Sequence, residues 1–191
     1  MADAITILGI AGSLRKDSFN KGALRAAQQL VPQGAKLEIC DIAGLPLFSQ
    51  DEERNPPAKL TEFKQKIRAA DAILIATPEY NYSIPGVLKN AIDCASRPYG
   101  DSAWAGKPVA IMSASIGAFG GMRAQYHLRQ CFVFLNMDCV LQPEVAIPTA
   151  SQHFDAQGNL TNDASKKLIG QLLQALVEKA RAAKSPMRQA A

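Results

Sequence analysis

Residues 4–11, AITILGIA, form a nearly unbroken apolar run that ends at a glycine turn, and residues 71–78, DAILIATP, repeat the pattern. A strand with one wet face alternates apolar and polar side chains, whereas a run without alternation fits a strand buried on both faces, as in a parallel sheet. Residues 35–42 and 107–115 read as further strands, and DCVLQPEVAIP reads as a fifth with a continuation broken by proline. The segments between them have helical spacing. Residues 20–31 form one helix, ended by PQG, and Leu60, Phe63 and Ile67 mark another over 58–70. A third covers 87–97, with Pro85 near its first turn, where a missing N–H costs nothing. Leu128, Cys131, Phe132 and Leu135 stripe a fourth, and Leu168, Ile169, Leu172, Leu173, Leu176 and Val177 a long C-terminal one. Strands alternating with helices predict an α/β doubly wound parallel sheet with helices on both faces. Right-handed crossovers leave few topologies.

The chain has 191 residues and no linker long enough to divide it, so one domain over 1–183 is expected, with 184–191 as a frayed tail. Hydrophobic residues make up 48% and charged residues 20%, a globular composition. No apolar run approaches the ~18 residues of a membrane span. The N-terminal MADAITILG lacks the basic start of a signal peptide, so a cytoplasmic location is expected. The net charge of +4 comes without a lysine–arginine block interleaved with aromatics, which argues against nucleic acid as a partner. Cys40, Cys94, Cys131 and Cys139 lie far apart and read as reduced, packed thiols rather than metal ligands. His127 falls inside a helical pattern and His153 in a polar loop, so each reads as structural or solvated.

In open parallel sheets, ligands bind outside the carboxyl ends of the strands. Three loops at those ends stand out here. After the first strand, GSLRKDSFNKG (12–22) carries Ser13, Arg15, Ser18 and Asn20, with Asp17 as its only acid. A plain turn needs a glycine and one helix cap, for which Ser18 or Asn20 suffices. The remaining polar residues then have no task. A helix N-terminus with its free N–H groups, joined by hydroxyls, an amide and a guanidinium, suits a phosphate dianion. The loop matches neither the P-loop nor the GxGxxG fingerprint.

After the third strand comes TPEYNYSIPG, with Pro78, Glu79, Tyr80 and Asn81. It reads either as a rigid surface turn or as a wall for a flat heterocycle with polar edges. After the fourth, the small residues of SASIGAFGG either begin a flexible helix or let a ligand approach the backbone closely. Phosphate at the first loop and a planar ring at the other two describe a mononucleotide spanning the crevice. FMN fits, because its phosphate is terminal and its ring is broad.

Together, GSLRKDSFN, TPEYNYSIPGVLKNAID and GGMRAQYHLRQ resemble the NADPH-dependent FMN reductases, in particular their soluble quinone/chromate reductase branch. The likeness runs from about residue 4 to about residue 148. It implies a flavodoxin-like five-stranded sheet of order 2-1-3-4-5, bound FMN, and NADPH or NADH as co-substrate. It places Ser13, Arg15, Ser18 and Asn20 on the FMN phosphate, and Pro78, Glu79, Tyr80 and Asn81 along the isoalloxazine. Ser115 and Gly117 approach the flavin from the fourth strand. The implied activity is reduction of quinones and similar small-molecule acceptors (chromate, azo or nitro compounds, free flavin) in a ping-pong cycle. Flavin N5 does the chemistry, and no catalytic side chain is required.

The resemblance also implies homodimers, some pairing into homotetramers, with GVLKNAID and MRAQYHLRQCFVFL as contact helices. Met122, Tyr126, Arg129 and Val133 share helical spacing on the second of these, and Arg123, Tyr126 and Glu144 are the implied tetramer contacts. Cys94 departs from the family, which often has an aromatic after NAID. The alternatives are a flavodoxin-type electron carrier or a flavin-binding redox sensor without turnover. Flavodoxins are acidic with a threonine-rich phosphate loop, and this chain has neither property.

Overall fold

The structure is a computed structural model and describes residues 4–185. Its parallel sheet contains β1 (Ile5–Ala11), β2 (Ala35–Cys40), β3 (Ala72–Thr77), β4 (Pro108–Ala114), β5 (Asp138–Cys139) and β6 (Val145–Ile147). The helices are α1 (Phe19–Gln29), α2 (Ala58–Ala69), α3 (Gly86–Ala95), α4 (Met122–Phe134) and α5 (Asp163–Lys184). The strand order is β2-β1-β3-β4-β5, with β6 also paired to β4, so the flavodoxin-like order 2-1-3-4-5 is present. The fifth position is shared. β5 pairs Val109 with Cys139, β6 pairs Met112 with Val145, and the chain leaves the sheet between them around Pro143. The expected tail beyond Ser185 lies outside the described residues.

Each residue of β3 is buried, and its side chains divide by parity. Ala72, Leu74 and Ala76 meet α1 and α5 on one face of the sheet. Ile73 and Ile75 meet α2, α3 and α4 on the other. This is why the central runs lack alternation: both faces are core. The long α5 is fixed at its start by Asn162, whose side chain accepts from Ser165 N at 2.8 Å, and it buries Ile169, Leu172, Leu173, Leu176 and Val177.

The register brings the carboxyl ends of β1, β3 and β4 level, pairing Ala11 with Ala76 and Thr77 with Ser113. The loop after β2 turns away from this edge and lies on α3. There Phe48 N donates to Asn90 Oδ1 at 2.8 Å, and Asn90 Nδ2 donates to the Pro46 carbonyl at 2.8 Å. Cys94 sits beneath it, buried, its thiol 3.6 Å from the same carbonyl.

Candidate FMN site

The loops after β1, β3 and β4 enclose a cleft of about 390 Å³, lined by Ser13, Arg15, Ser18, Phe19 and Asn20, by Pro78, Glu79 and Tyr80, and by Ala114, Ser115 and Ile116. Its walls come from segments far apart in sequence, joined at the sheet edge by β1, β3 and β4. Two residues expected at the site, Asn81 and Gly117, do not line the cleft but shape its walls. Asn81 takes a left-handed conformation (φ 50°) at the tip of the second loop, and Gly117 N donates to Ser115 Oγ at 3.2 Å.

The first wall holds polar groups without internal tasks. Ser18 is the N-cap of α1, yet its side chain makes no capping hydrogen bond. The N–H groups of the first helical turn have no intrahelical partners in an α-helix, and an N-cap hydroxyl ordinarily takes one of them. Ser13 is buried, and its Oγ accepts from Arg15 N at 3.3 Å, which leaves its own proton to donate. The exposed Arg15 guanidinium lies 5.3 Å from the centre of the Phe19 ring and forms no ion pair among the described residues. These are the hydroxyl, guanidinium and backbone N–H donors that a phosphate dianion needs.

Asn20 differs from its neighbours. It is 2% exposed, its Nδ2 donates to the Ala114 carbonyl at 2.9 Å, and its Oδ1 accepts from Ala114 N at 2.9 Å. It therefore ties α1 to the end of β4, with one N–H of the amide left over. Phe19, which the sequence reading did not select, lines the cleft and packs on Phe154 at 5.1 Å between centroids. The only hint was an apolar residue set within a polar run.

In the second wall, both oxygens of the Glu79 carboxylate are engaged by Arg123. Oε1 accepts from Arg123 Nε at 2.6 Å and Oε2 accepts from Arg123 N at 3.1 Å. Tyr80 is half exposed at the mouth, and Ile116 is more exposed still, so the opening has an apolar rim.

The third wall rests on a buried polar network. Ser113 Oγ donates to the Gly120 carbonyl at 2.6 Å, and Gln125 Nε2 donates to Ser113 Oγ at 2.7 Å and to the Val145 carbonyl at 2.8 Å. Gly121 caps α4 with φ 91°, and a Cβ there would stand 2.8 Å from Ser113 Cβ, so only glycine fits. Gln125 was missed in the sequence, although a glutamine directly before a helical apolar stripe was its signal.

Burial pushes the thiols of Cys40, Cys94, Cys131 and Cys139 up, which keeps them protonated at neutral pH. His127 Nδ1 is 2.8 Å from Ser83 Oγ, behind the second wall. Among the described residues, no cluster of three or more His, Cys, Asp and Glu could hold a metal ion. The groups that line the cleft are hydroxyl, guanidinium and backbone donors beside aromatic and apolar side chains, a fit for a cofactor that carries its own redox chemistry.

The chain is 54% identical over 178 residues to an NAD(P)H-dependent FMN reductase of Pseudomonas aeruginosa, covering 92% of this chain and 95% of that protein. It is 46% identical over 180 residues to a quinone reductase of Pseudomonas putida, covering 94% of each. Among solved structures it superimposes on FerB, a flavoenzyme NAD(P)H:(acceptor) oxidoreductase from Paracoccus denitrificans, with a TM-score of 0.86 and 33% identity, over 94% of this chain and 99% of that one. The model of one family matches residues 5–152, a span that contains all three walls of the cleft, and with it the sheet and the relatives agree: the chain belongs to the NADPH-dependent FMN reductases.

Proposed function

We propose that the protein is an FMN-containing NAD(P)H:quinone reductase whose cofactor lies in the 390 Å³ cleft, phosphate at 12–18 and ring between 78–83 and 113–117. The observation that carries this reading is a pair of groups around the start of α1 without a hydrogen-bond partner among the described residues: the Ser18 hydroxyl, which makes no capping bond, and the Arg15 guanidinium, which rests on Phe19 and forms no ion pair. On this reading Ser13, Arg15 and Ser18 hold the phosphate, and Asn20 contributes its remaining N–H while holding α1 against β4. Pro78, Glu79 and Tyr80, with Ser115, present the backbone and side chains that flank the ring. Asn81 and Gly117 act by setting the shape of those loops. Bound FMN supplies hydride acceptance and donation at N5.

The protein's part is to position and to exclude. Tyr80 and Ile116 line the cleft and are exposed at its opening, where they suit flat, weakly polar molecules. NAD(P)H and the acceptor would then enter by the same mouth and take turns there, which is a ping-pong cycle. A rim without a dense set of hydrogen-bonding groups selects shape loosely, so quinones, azo and nitro compounds, free flavin and chromate are all candidate acceptors. Steady-state rates over a grid of NAD(P)H and quinone concentrations test the shared mouth. Parallel double-reciprocal lines are expected; intersecting lines mean a ternary complex and separate entrances.

Assembly belongs to the same reading. Tyr126, Val133 and Phe134 are exposed on α4, the exposed Tyr99 lines a surface cleft with Phe134, and Leu47 is exposed in the loop that lies on α3. Contiguous exposed apolar residues favour an interface, so a homodimer or homotetramer is proposed. Arg129 is not part of that outer face, since its guanidinium turns toward Cys139 and the Val140 carbonyl. Glu144 lies 3.8 Å from Arg129, and with Tyr126 and Arg123 it is the proposed contact between dimers. No described helix is long and apolar enough to cross a membrane, and a cytoplasmic enzyme is proposed.

A further inference from the structure

The second wall has a conformation that its own sequence does not explain. Tyr80 N donates to the Ser83 carbonyl at 3.0 Å and Ser83 N to the Tyr80 carbonyl at 2.9 Å, closing a two-residue hairpin. Both central residues have positive φ, 50° at Asn81 and 65° at Tyr82. Asn-Gly is the ordinary pair for such a turn, because glycine tolerates the left-handed region and asparagine nearly does. A tyrosine stays there only when its surroundings hold it.

What holds it is the first turn of α4. Arg123 gives Glu79 two hydrogen bonds, from its backbone N–H and its Nε, and the Glu79 side chain is only 9% exposed. The same guanidinium lies 3.8 Å from the centre of the Tyr82 ring and 4.8 Å from that of Phe119. One turn later His127 meets Ser83. The first turn is itself fixed, because Gly121 packs on Ser113 at the end of β4. A continuous path therefore runs from the sheet, through Arg123, to the loop that lines the cleft with Pro78, Glu79 and Tyr80.

We infer that Arg123 is a positioning residue of the flavin site, acting through the Glu79 carboxylate and the Tyr82 ring to hold the ring-side loop in its binding shape. Its guanidinium serves the loop of its own chain, whatever contact between dimers it also makes, and the Glu79 carboxylate is the other half of the device, so that Glu79 meets the flavin through its backbone. This rests on the reading that the cleft takes the flavin ring against 78–83.

Riboflavin lacks the phosphate, so its affinity reports the ring side alone. Apoprotein of the wild type and of Arg123→Met, Glu79→Gln and the double variant is titrated with riboflavin and with FMN by flavin fluorescence. Each single change is expected to weaken both flavins by the same factor, about fivefold or more, and the double to be no worse than the worse single, as for coupled groups. Arg123→Lys, which keeps the charge for Glu79 and Tyr82, is expected to recover part of the loss, and the visible spectrum of the bound flavin should shift in the Met variant. Unchanged riboflavin affinity in both single variants overturns the inference. So does a Met variant whose only change is a smaller particle mass by light scattering, with both flavin affinities intact, since Arg123 then serves assembly alone. Should Arg123→Met not fold, Glu79→Gln against Arg123→Lys gives the same comparison. Failure of the wild type to bind either flavin overturns instead the reading of the cleft on which this rests.

Discussion

Loops 12–18 and 78–83 form two walls of one cleft, yet among the described residues the first leaves the Ser18 hydroxyl and the Arg15 guanidinium without a hydrogen-bond partner, while the second has Glu79 and Ser83 tied to α4. Ser18 caps a helix without using its hydroxyl, and Arg15 pairs with no carboxylate among the described residues. Across the cleft, the Glu79 carboxylate takes two bonds from Arg123, and Ser83 is held by His127. The difference follows from what each wall must meet. A dianion is bound by donors that lack partners until it arrives, since charge-assisted bonds form only to free groups. A planar ring is bound by shape, and shape requires that the wall not move.

Asn20 offers the hardest way to break this contrast, because it sits in the first wall but behaves like the second. Its amide satisfies both backbone groups of Ala114 across buried space. Asn20→Ala removes two hydrogen bonds and orphans a buried N–H and C=O, so a stability loss of about 2–4 kcal/mol is expected in urea unfolding. A loss confined to FMN affinity, with unfolding unchanged, would make Asn20 a plain phosphate ligand instead.

Ser18→Ala sharpens the contrast by a smaller effect. Removing an N-cap serine ordinarily costs a helix about 1 kcal/mol. Here the hydroxyl makes no capping bond, so thermal stability of the apoprotein should stay within about 0.5 kcal/mol. FMN affinity should fall roughly twofold to tenfold, the worth of one hydrogen bond. Full cap loss with unchanged FMN affinity would return Ser18 to an ordinary helix start.

The same contrast explains what could be read in advance. The β1 and β3 runs declared themselves because burial on both faces removes alternation, and the break in the fifth strand was visible as Pro143 between β5 and β6. The first loop was legible because it carried more polar residues than a turn can use. The second loop named its residues but hid their tasks. That Glu79 pairs with Arg123 depends on a partner 44 residues away, and that Asn20 seeks Ala114 depends on one 94 residues away. Local pattern holds no record of such pairings; only the sheet register creates them. Phe19 and Gln125 were missed for a related reason, since each looked like an ordinary residue at a helix start or beside a helical stripe, and became part of the site only when distant strands closed around it.

Loop 12–18 is proposed as the phosphate site, with Arg15 supplying its charge. The most direct measurement is the ratio of riboflavin to FMN dissociation constants, taken on apoprotein of the wild type and of Arg15→Ala. FMN should bind the wild type at least about tenfold more tightly than riboflavin. Arg15→Ala should weaken FMN roughly tenfold to hundredfold through loss of about 1.5–3 kcal/mol of charge-assisted bonding, and leave riboflavin nearly unchanged. A wild-type ratio near one, or a ratio that survives the loss of Arg15, would show that loop 12–18 does not hold the phosphate through Arg15.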